Sequence, residues 1–229
     1  MALTLINIID KFNNQHYIFW TGGFDSTFSI MYFLHYSKNN IQPIYIKNNC
    51  VDGIRSLFGY CNGRQNKIKE LETMNKIRNQ LSPNFASRLL PTIFIDDLKL
   101  DDDILQSSNI SYKNGLGTRR VNQYTYIAQV CKNFNINGIV SVIYQQGDSW
   151  NKNILPEIKN VNSSEAYSTK FELYSRMRFP LINFTKRELY NISKLLNFNN
   201  ILEITWSCWI PIDGKPCNKC NMCKERIIK

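Results

Sequence analysis

Tyr17-Ile18-Phe19-Trp20-Thr21-Gly22-Gly23-Phe24-Asp25-Ser26-Thr27-Phe28 is the stretch that sets the fold of this chain. Tyr17–Trp20 is a short aromatic and β-branched run, the composition of a buried strand. Phe28–Tyr36 carries apolar residues on most faces, as a buried helix does. Between them lie two consecutive glycines, which let the backbone pass close to an anion and turn its N–H groups inward. Thr21, Ser26 and Thr27 add hydroxyls, and the helix that follows offers its positive N-terminal end to phosphate. No Lys follows the glycines, so this is not the G-x4-G-K-[ST] loop of γ-phosphate transfer. Its logic suits a leaving pyrophosphate, gripped while a nucleophile attacks the α-phosphorus. An ordinary strand–helix turn with a glycine pair is the plainer alternative.

Outward from this turn, strands and helices alternate. Ile41–Ile46 reads as a second strand, and 47–64 as a loop. Gln65–Leu81 reads as an amphipathic helix with Ile68, Leu71, Met74, Ile77 and Leu81 at three- and four-residue steps. Leu89–Ile95 is a third strand, with Pro91 pointing to an edge or a strand start. Residues 96–117 are polar and read as irregular, with Asp101-Asp102-Asp103 as a solvated loop or helix start. Val121–Phe134 reads as a helix and Gly138–Tyr144 as a fourth strand. Gln145–Ser168 is a candidate mobile lid, and Phe179–Ile182 a fifth strand. Thr185–Leu196 is a helix opened by a capping box, Thr185 with Glu188. The alternation predicts an α/β fold: an open parallel five-stranded sheet with helices on both faces.

The chain has 229 residues with 43% hydrophobic and 13% aromatic composition, too rich for a disordered protein. Its apolar runs fall far short of the roughly 20 residues of a spanning helix. The N-terminus has no basic region, and Asp10 and Lys11 interrupt its apolar stretch, so no secretory signal is expected. A cytoplasmic location with no membrane partner follows as the expectation. The formal charge is +10, falling to about +8 if four thiolates surround one divalent ion. The basic residues are dispersed rather than striped, so nucleic acid is not the expected partner.

Seven cysteines are an odd number, which argues against a fully paired disulfide framework. Cys208, Cys217, Cys220 and Cys223 crowd the C-terminus as C-x8-C-x2-C-x2-C. Two-residue spacing lets neighbouring thiolates face one metal ion, and four ligands describe a closed zinc site. An iron–sulfur cluster also suits such spacing, and disulfides or free thiols are the remaining alternatives. Two domains are expected: 1–200, a nucleotide-binding α/β domain, and 201–229, a zinc-binding element packed on it.

Thr21–Thr27 resembles the SGGxDS[ST] loop of the PP-loop ATP-pyrophosphatase superfamily. Phe179-Pro180-Leu181…Lys186-Arg187-Glu188-Leu189…Thr205-Trp206-Ser207-Cys208-Trp209…Cys217-Asn218-Lys219-Cys220-Asn221-Met222-Cys223…Arg226 is similar to the tail of the 7-cyano-7-deazaguanine synthase family. Residues 117–148 match more loosely, through Arg119 or Arg120, Asn122 and Asp148. The family's G-Q-R-H is reduced to Gly63-Arg64-Gln65-Asn66, and its Y-P-D-C element is replaced by Gln145–Trp150.

The resemblance implies a PP-loop fold of the adenine-nucleotide α-hydrolase type and an ATP-dependent C–N ligase. The implied reaction is adenylation of 7-carboxy-7-deazaguanine with loss of pyrophosphate, then attack of ammonia to give amide and nitrile. The implied cofactors are ATP, Mg²⁺ and Zn²⁺, and a homodimer is the family's usual state. Thr21, Gly22, Gly23, Phe24, Asp25, Ser26, Thr27 and Ile46 are the nucleotide-contacting set. Asp25 and Ser26, with Lys186, Arg119 and Arg120 as charge-neutralising groups, are the candidate catalytic residues. Trp206 and Trp209 either stack on a purine-like ring or cover the metal site. His16 and His35, the two histidines, sit in no motif. Two alternatives keep the nucleotide chemistry: ligation of the adenylated acid to a protein amine in a defence system, and a tRNA-modifying thiolase. A third is a binding module that holds ATP without releasing pyrophosphate.

Overall fold

A computed structural model describes residues 15–47, 66–96, 98–113, 123–143, 169–224 and 226. Five parallel strands form one sheet in the order β3-β2-β1-β4-β5, the α/β architecture expected. The chain divides into two compact units, Met1–Asp97 with Lys186–Lys229, and Leu98–Thr185.

The first unit begins with β1 (Gln15–Phe19), α1 (Phe24–Tyr36) and β2 (Asn40–Ile46). Strands β1 and β2 pair in parallel, Phe19 opposite Ile44, and Trp20 N–H prolongs the ladder by donating to Ile44 O at 2.9 Å. Nearly every α1 residue from Phe24 to Leu34 is buried, as its all-round apolar sequence requires. The turn between β1 and α1 therefore lies at the carboxyl end of a strand, where open α/β sheets take ligands. Next come α2 (Lys67–Asn79), a short α3 (Pro83–Ala86) and β3 (Ile93–Ile95). Strand β3 is an edge strand beside β2, which accommodates Pro91 just before it. The unit closes with α6 (Lys186–Leu195), α7 (Asn199–Glu203) and α8 (Asn221–Lys224). Its core holds Ile18, Trp20, Phe28, Phe33, Ile41, Tyr45, Ile77, Leu189 and Leu202. Each such side chain contributes about 1.5–3 kcal/mol by leaving water.

The second unit contains α4 (Asp102–Lys113), α5 (Gln123–Asn133), β4 (Gly138–Ile139), a 3-10 turn (Thr169–Tyr174) and β5 (Met177–Arg178). Val130, Cys131, Ile139, Tyr174, Met177 and Phe179 form its buried centre. Burial pushes the Cys131 thiol up to about 12, so it behaves as a small hydrophobe.

Three sequence expectations are corrected. Residues 102–113 are helical rather than irregular. The face that α4 buries is Ser107, Ser108 and Ser111, which no apolar periodicity announces. Ser108 pairs with Thr125 of α5 through hydroxyls 2.7 Å apart. Lys132 holds Asp101 and Asp103 at 2.7 and 2.8 Å, so the acidic run opens a helix, whose N-terminal end favours negative charge. In α2 the buried positions are Glu70, Thr73, Met74 and Ile77, while Ile68 is 69% exposed. Strand β5 covers Met177–Arg178, just ahead of the expected Phe179–Ile182, which instead turns with Phe179, Leu181 and Ile182 buried. The expected loop at 47–64 (beyond Lys47) and lid at 145–168 lie outside the described residues.

Candidate nucleotide and metal site

The glycine turn is built by constraints on both sides of it. Gly22 sits at φ +69°, the left-handed region that only glycine enters readily. A Cβ there would lie 2.9 Å from Glu70 O, 3.2 Å from Met74 Cγ and 3.4 Å from Met74 N, all on α2. The first glycine thus lets the turn press against that helix. On the other side, Gly22 O accepts Trp206 N–H at 3.1 Å. The second glycine, Gly23, is the N-cap of α1 in an extended conformation, with no side-chain cap hydrogen bond. Gly23 has no side chain to cap the first N–H groups of this 13-residue helix, a condition that favours binding an anion.

Within the turn, Ser26 Oγ accepts Thr21 N–H at 3.3 Å and lies 3.4 Å from Gly23 O. Thr27 is fully buried, and its Oγ1 accepts the Trp20 indole N–H at 3.0 Å. The guanidinium of Arg78, which donates to Leu89 O, Leu90 O and Thr92 Oγ1, stacks over that indole at 5.4 Å. Asp25 is half-buried in the first turn of α1. Lys186, in the first turn of α6, places Nζ 5.7 Å from the centre of the Phe24 ring. The expected set Thr21, Gly22, Gly23, Phe24, Asp25, Ser26, Thr27 and Lys186 is thus brought to one turn. Ile46 ends β2, while Arg119 and Arg120 lie outside the described residues.

The sulfur atoms of Cys208, Cys217, Cys220 and Cys223 all lie within 4.8 Å of one another, with Cys217 and Cys223 3.9 Å apart. A tetrahedron of thiolates about 2.3 Å from one zinc has edges of about 3.8 Å. The spacing fits a single ion such as zinc; a cubane would need the sulfurs spread around a whole cluster. Backbone N–H groups of Lys219 and Cys220 point at Cys217 Sγ and pull its thiol down to about 6, whereas burial raises Cys208. Asp213 and Gly214, both at positive φ, form the tip between the Ile212 and Lys215 bridge. That turn folds the x8 segment back so that Cys208 meets the other three.

The cysteine cluster and the glycine turn adjoin. Trp206, whose N–H binds Gly22 O, donates its indole N–H to Cys208 O at 2.8 Å. Trp206 is half-buried and acts here through its backbone and indole N–H, whereas Trp209 is 55% exposed and is no core aromatic.

Sequence reasoning missed Glu70, Asn66 and Tyr45. Glu70 is 4% exposed and Tyr45 wholly buried; Tyr45 OH donates to Glu70 Oε2 at 2.6 Å and Asn66 Nδ2 to Oε1 at 2.9 Å. An acid one helical turn before Met74 was the available signal, and apolar periodicity passes over it.

Residues 61–228, more than two thirds of the chain, match the family model described as queuosine biosynthesis protein QueC. The chain belongs to the QueC family. The matched range contains α2, α6 and all four cysteines of the cluster, and it begins after the glycine turn. The chain is also similar to a 7-cyano-7-deazaguanine synthase of Campylobacter concisus (strain 13826), 31% identical over 70 residues. That stretch covers 31% of this chain and 30% of the relative, so under a third of the relative's length is spanned. The family model's description names queuosine biosynthesis, and the relative's name a 7-deazaguanine product. No helix among the described residues is long and apolar enough to cross a membrane.

Proposed function

We propose that this protein adenylates the carboxylate of a 7-deazaguanine-type acid, 7-carboxy-7-deazaguanine, with release of pyrophosphate, that ammonia then displaces AMP to give the amide, and that a second ATP adenylates the amide oxygen, which leaves with AMP to give the nitrile. The observation that carries this is the glycine turn: an uncapped helix N-terminus after a parallel strand, held at Gly22 by α2 and by Trp206. Family membership supports a 7-deazaguanine-type acid, and the turn supports a departing diphosphate.

In this reading Gly22, Gly23, Asp25 and Ser26 receive the β- and γ-phosphates through N–H groups and the Ser26 hydroxyl. Thr27 supports the turn from behind through Trp20. Lys186 faces the charge that grows as the P–O bond breaks, and fixed donors of this kind are worth more in the transition state than in the ground state. Arg119 and Arg120 are assigned the same task. Magnesium carried with the triphosphate would neutralise charge there, with Asp25 the carboxylate of the turn. Zinc in the Cys208–Cys217–Cys220–Cys223 cluster would serve structure, since four thiolates leave no open position.

The test is pyrophosphate release and product formation with ATP, 7-carboxy-7-deazaguanine and ammonia, with Asp25→Ala as control. Wild-type turnover lost in the variant supports the assignment. Turnover only with a protein amine in place of ammonia would replace the acceptor. No release with any acid would remove the adenylation itself.

A further inference from the structure

We infer that Glu70 is a positioning residue for the phosphate turn, acting through Gly22; this rests on the nucleotide chemistry proposed above. The main chain of α2 at Glu70 and Met74 is the surface against which Gly22 lies, with Glu70 O the closest atom to a Cβ there, at 2.9 Å. Where that surface stands is fixed by the Glu70 carboxylate. Tyr45, the next-to-last residue of β2, donates to one oxygen at 2.6 Å, and Asn66, the N-cap residue of α2, donates to the other at 2.9 Å. All three side chains are at least nine-tenths buried. A buried carboxyl group held by these two hydrogen bonds has little freedom to move, because breaking either gives up a bond made in a low-dielectric site. Glu70 therefore ties the first turn of α2 to the strand that lies beside β1, and the phosphate turn emerges from β1.

Asn66 adds a detail that makes the idea testable. Its Nδ2 is committed to Glu70, while its Oδ1 is buried and has no hydrogen-bond partner among the described residues. In Glu70→Gln the new amide can keep one oxygen for Tyr45 and offer its NH₂ to Asn66, whose amide can rotate to present Oδ1. The bridge survives with an amide in place of the carboxyl group. In Glu70→Ala both links are lost.

The experiment is steady-state pyrophosphate release from ATP by the full chain with 7-carboxy-7-deazaguanine and ammonia, with KM for ATP, KM for the acid and kcat measured separately. Glu70→Ala is expected to raise KM for ATP and lower kcat/KM for ATP by about ten- to a hundredfold, as sub-ångström misplacement of binding groups does. KM for the acid should stay within about twofold. Glu70→Gln should recover about tenfold over Glu70→Ala, and Tyr45→Phe, which opens no cavity, should raise KM for ATP about threefold. A merely structural role would lower the folded fraction and kcat and leave both KM values unmoved. An unchanged KM for ATP in Tyr45→Phe and Glu70→Ala, or no recovery in Glu70→Gln, overturns the inference. If Glu70→Ala does not fold, Tyr45→Phe and Glu70→Gln decide it. Absence of pyrophosphate release from the wild type would instead strike the adenylation reading, and this inference with it, before any variant is made.

Discussion

Replacing Gly22 and Gly23 one at a time by Ala separates two roles that adjacent glycines play in one turn. At Gly22 the backbone is at φ +69°, where a Cβ costs roughly 1–2 kcal/mol. That Cβ would also stand 2.9 Å from Glu70 O and 3.4 Å from Met74 N. The closest ordinary C–H···O contacts are about 3.3 Å, so the turn or α2 must retreat by about 0.4 Å. Both obstructing atoms are main chain and cannot rotate away, and overpacking of this kind costs typically 1–3 kcal/mol. Gly22→Ala is therefore expected to lower unfolding free energy by about 2–5 kcal/mol. Gly23 has φ −76°, and its Cβ would lie 3.3 Å from Thr21 Oγ1, a side chain able to give, and 3.6 Å from Trp206 O. Its replacement loses only the N-cap preference of Gly over Ala, on the order of 0.5–1 kcal/mol. Urea unfolding of the two variants measures the difference directly. Pyrophosphate release should fall at least tenfold in Gly22→Ala, because displaced N–H groups no longer meet the anion. A Gly22→Ala protein within about 0.5 kcal/mol of wild type, or one no less stable than Gly23→Ala, would refute the packing argument.

Lys186→Met should lower kcat/KM for ATP by about ten- to a hundredfold with little change in unfolding midpoint, since its ammonium lies over Phe24 of the turn and a charged hydrogen bond is worth about 1.5–3 kcal/mol. Metal analysis should find about one zinc per chain, lost in Cys217→Ser. Chelation should weaken ATP binding measured by calorimetry, because Trp206 links Cys208 O to Gly22 O; undiminished affinity in the stripped protein would deny that link. His16 is buried with Nε2 2.8 Å from Ser37 Oγ, and burial lowers its pKa to about 4. The unfolded chain takes up a proton near pH 6.5 and the folded chain does not, so stability is full above pH 6.5 and declines toward pH 4. The shift corresponds to at most about 3 kcal/mol. His16→Asn should flatten that slope in urea titrations between pH 7 and 4.5.

Legibility in the sequence followed the physics of each element. β1, α1 and β2 could be read because an apolar strand, a glycine pair and an all-apolar helix leave few other ways to bury Ile18, Phe28 and Ile44. The cysteine cluster could be read because thiolate spacing is a short-range constraint. Helix α4 could not, since its inward face is serine paired with Thr125 across the interior, a compensation visible only once both helices are placed. Ile68 was misassigned for a related reason. A buried carboxylate with two donors took the inward position, and the apolar side chain one helical face away was left in water.

That exchange has a consequence for the site. A protein places Glu70 rather than an apolar residue in its interior at a cost in desolvation, and a purely structural face of α2 would be served as well by Leu. Tyr45 and Asn66 give the carboxylate two fixed donors, so what the exchange secures is a defined position for the main chain at Glu70. The residue that meets that main chain is Gly22, whose carbonyl accepts the N–H of Trp206 beside the cysteines. The glycine turn is therefore held from two directions by parts of the chain far away in sequence, and a strand–glycine–helix pattern alone shows neither of them. In the proposed function this is how a turn without the lysine of other phosphate loops would keep its geometry: α2 and the cysteine-bearing tail hold it, and its own N–H groups and hydroxyls would be left for the anion.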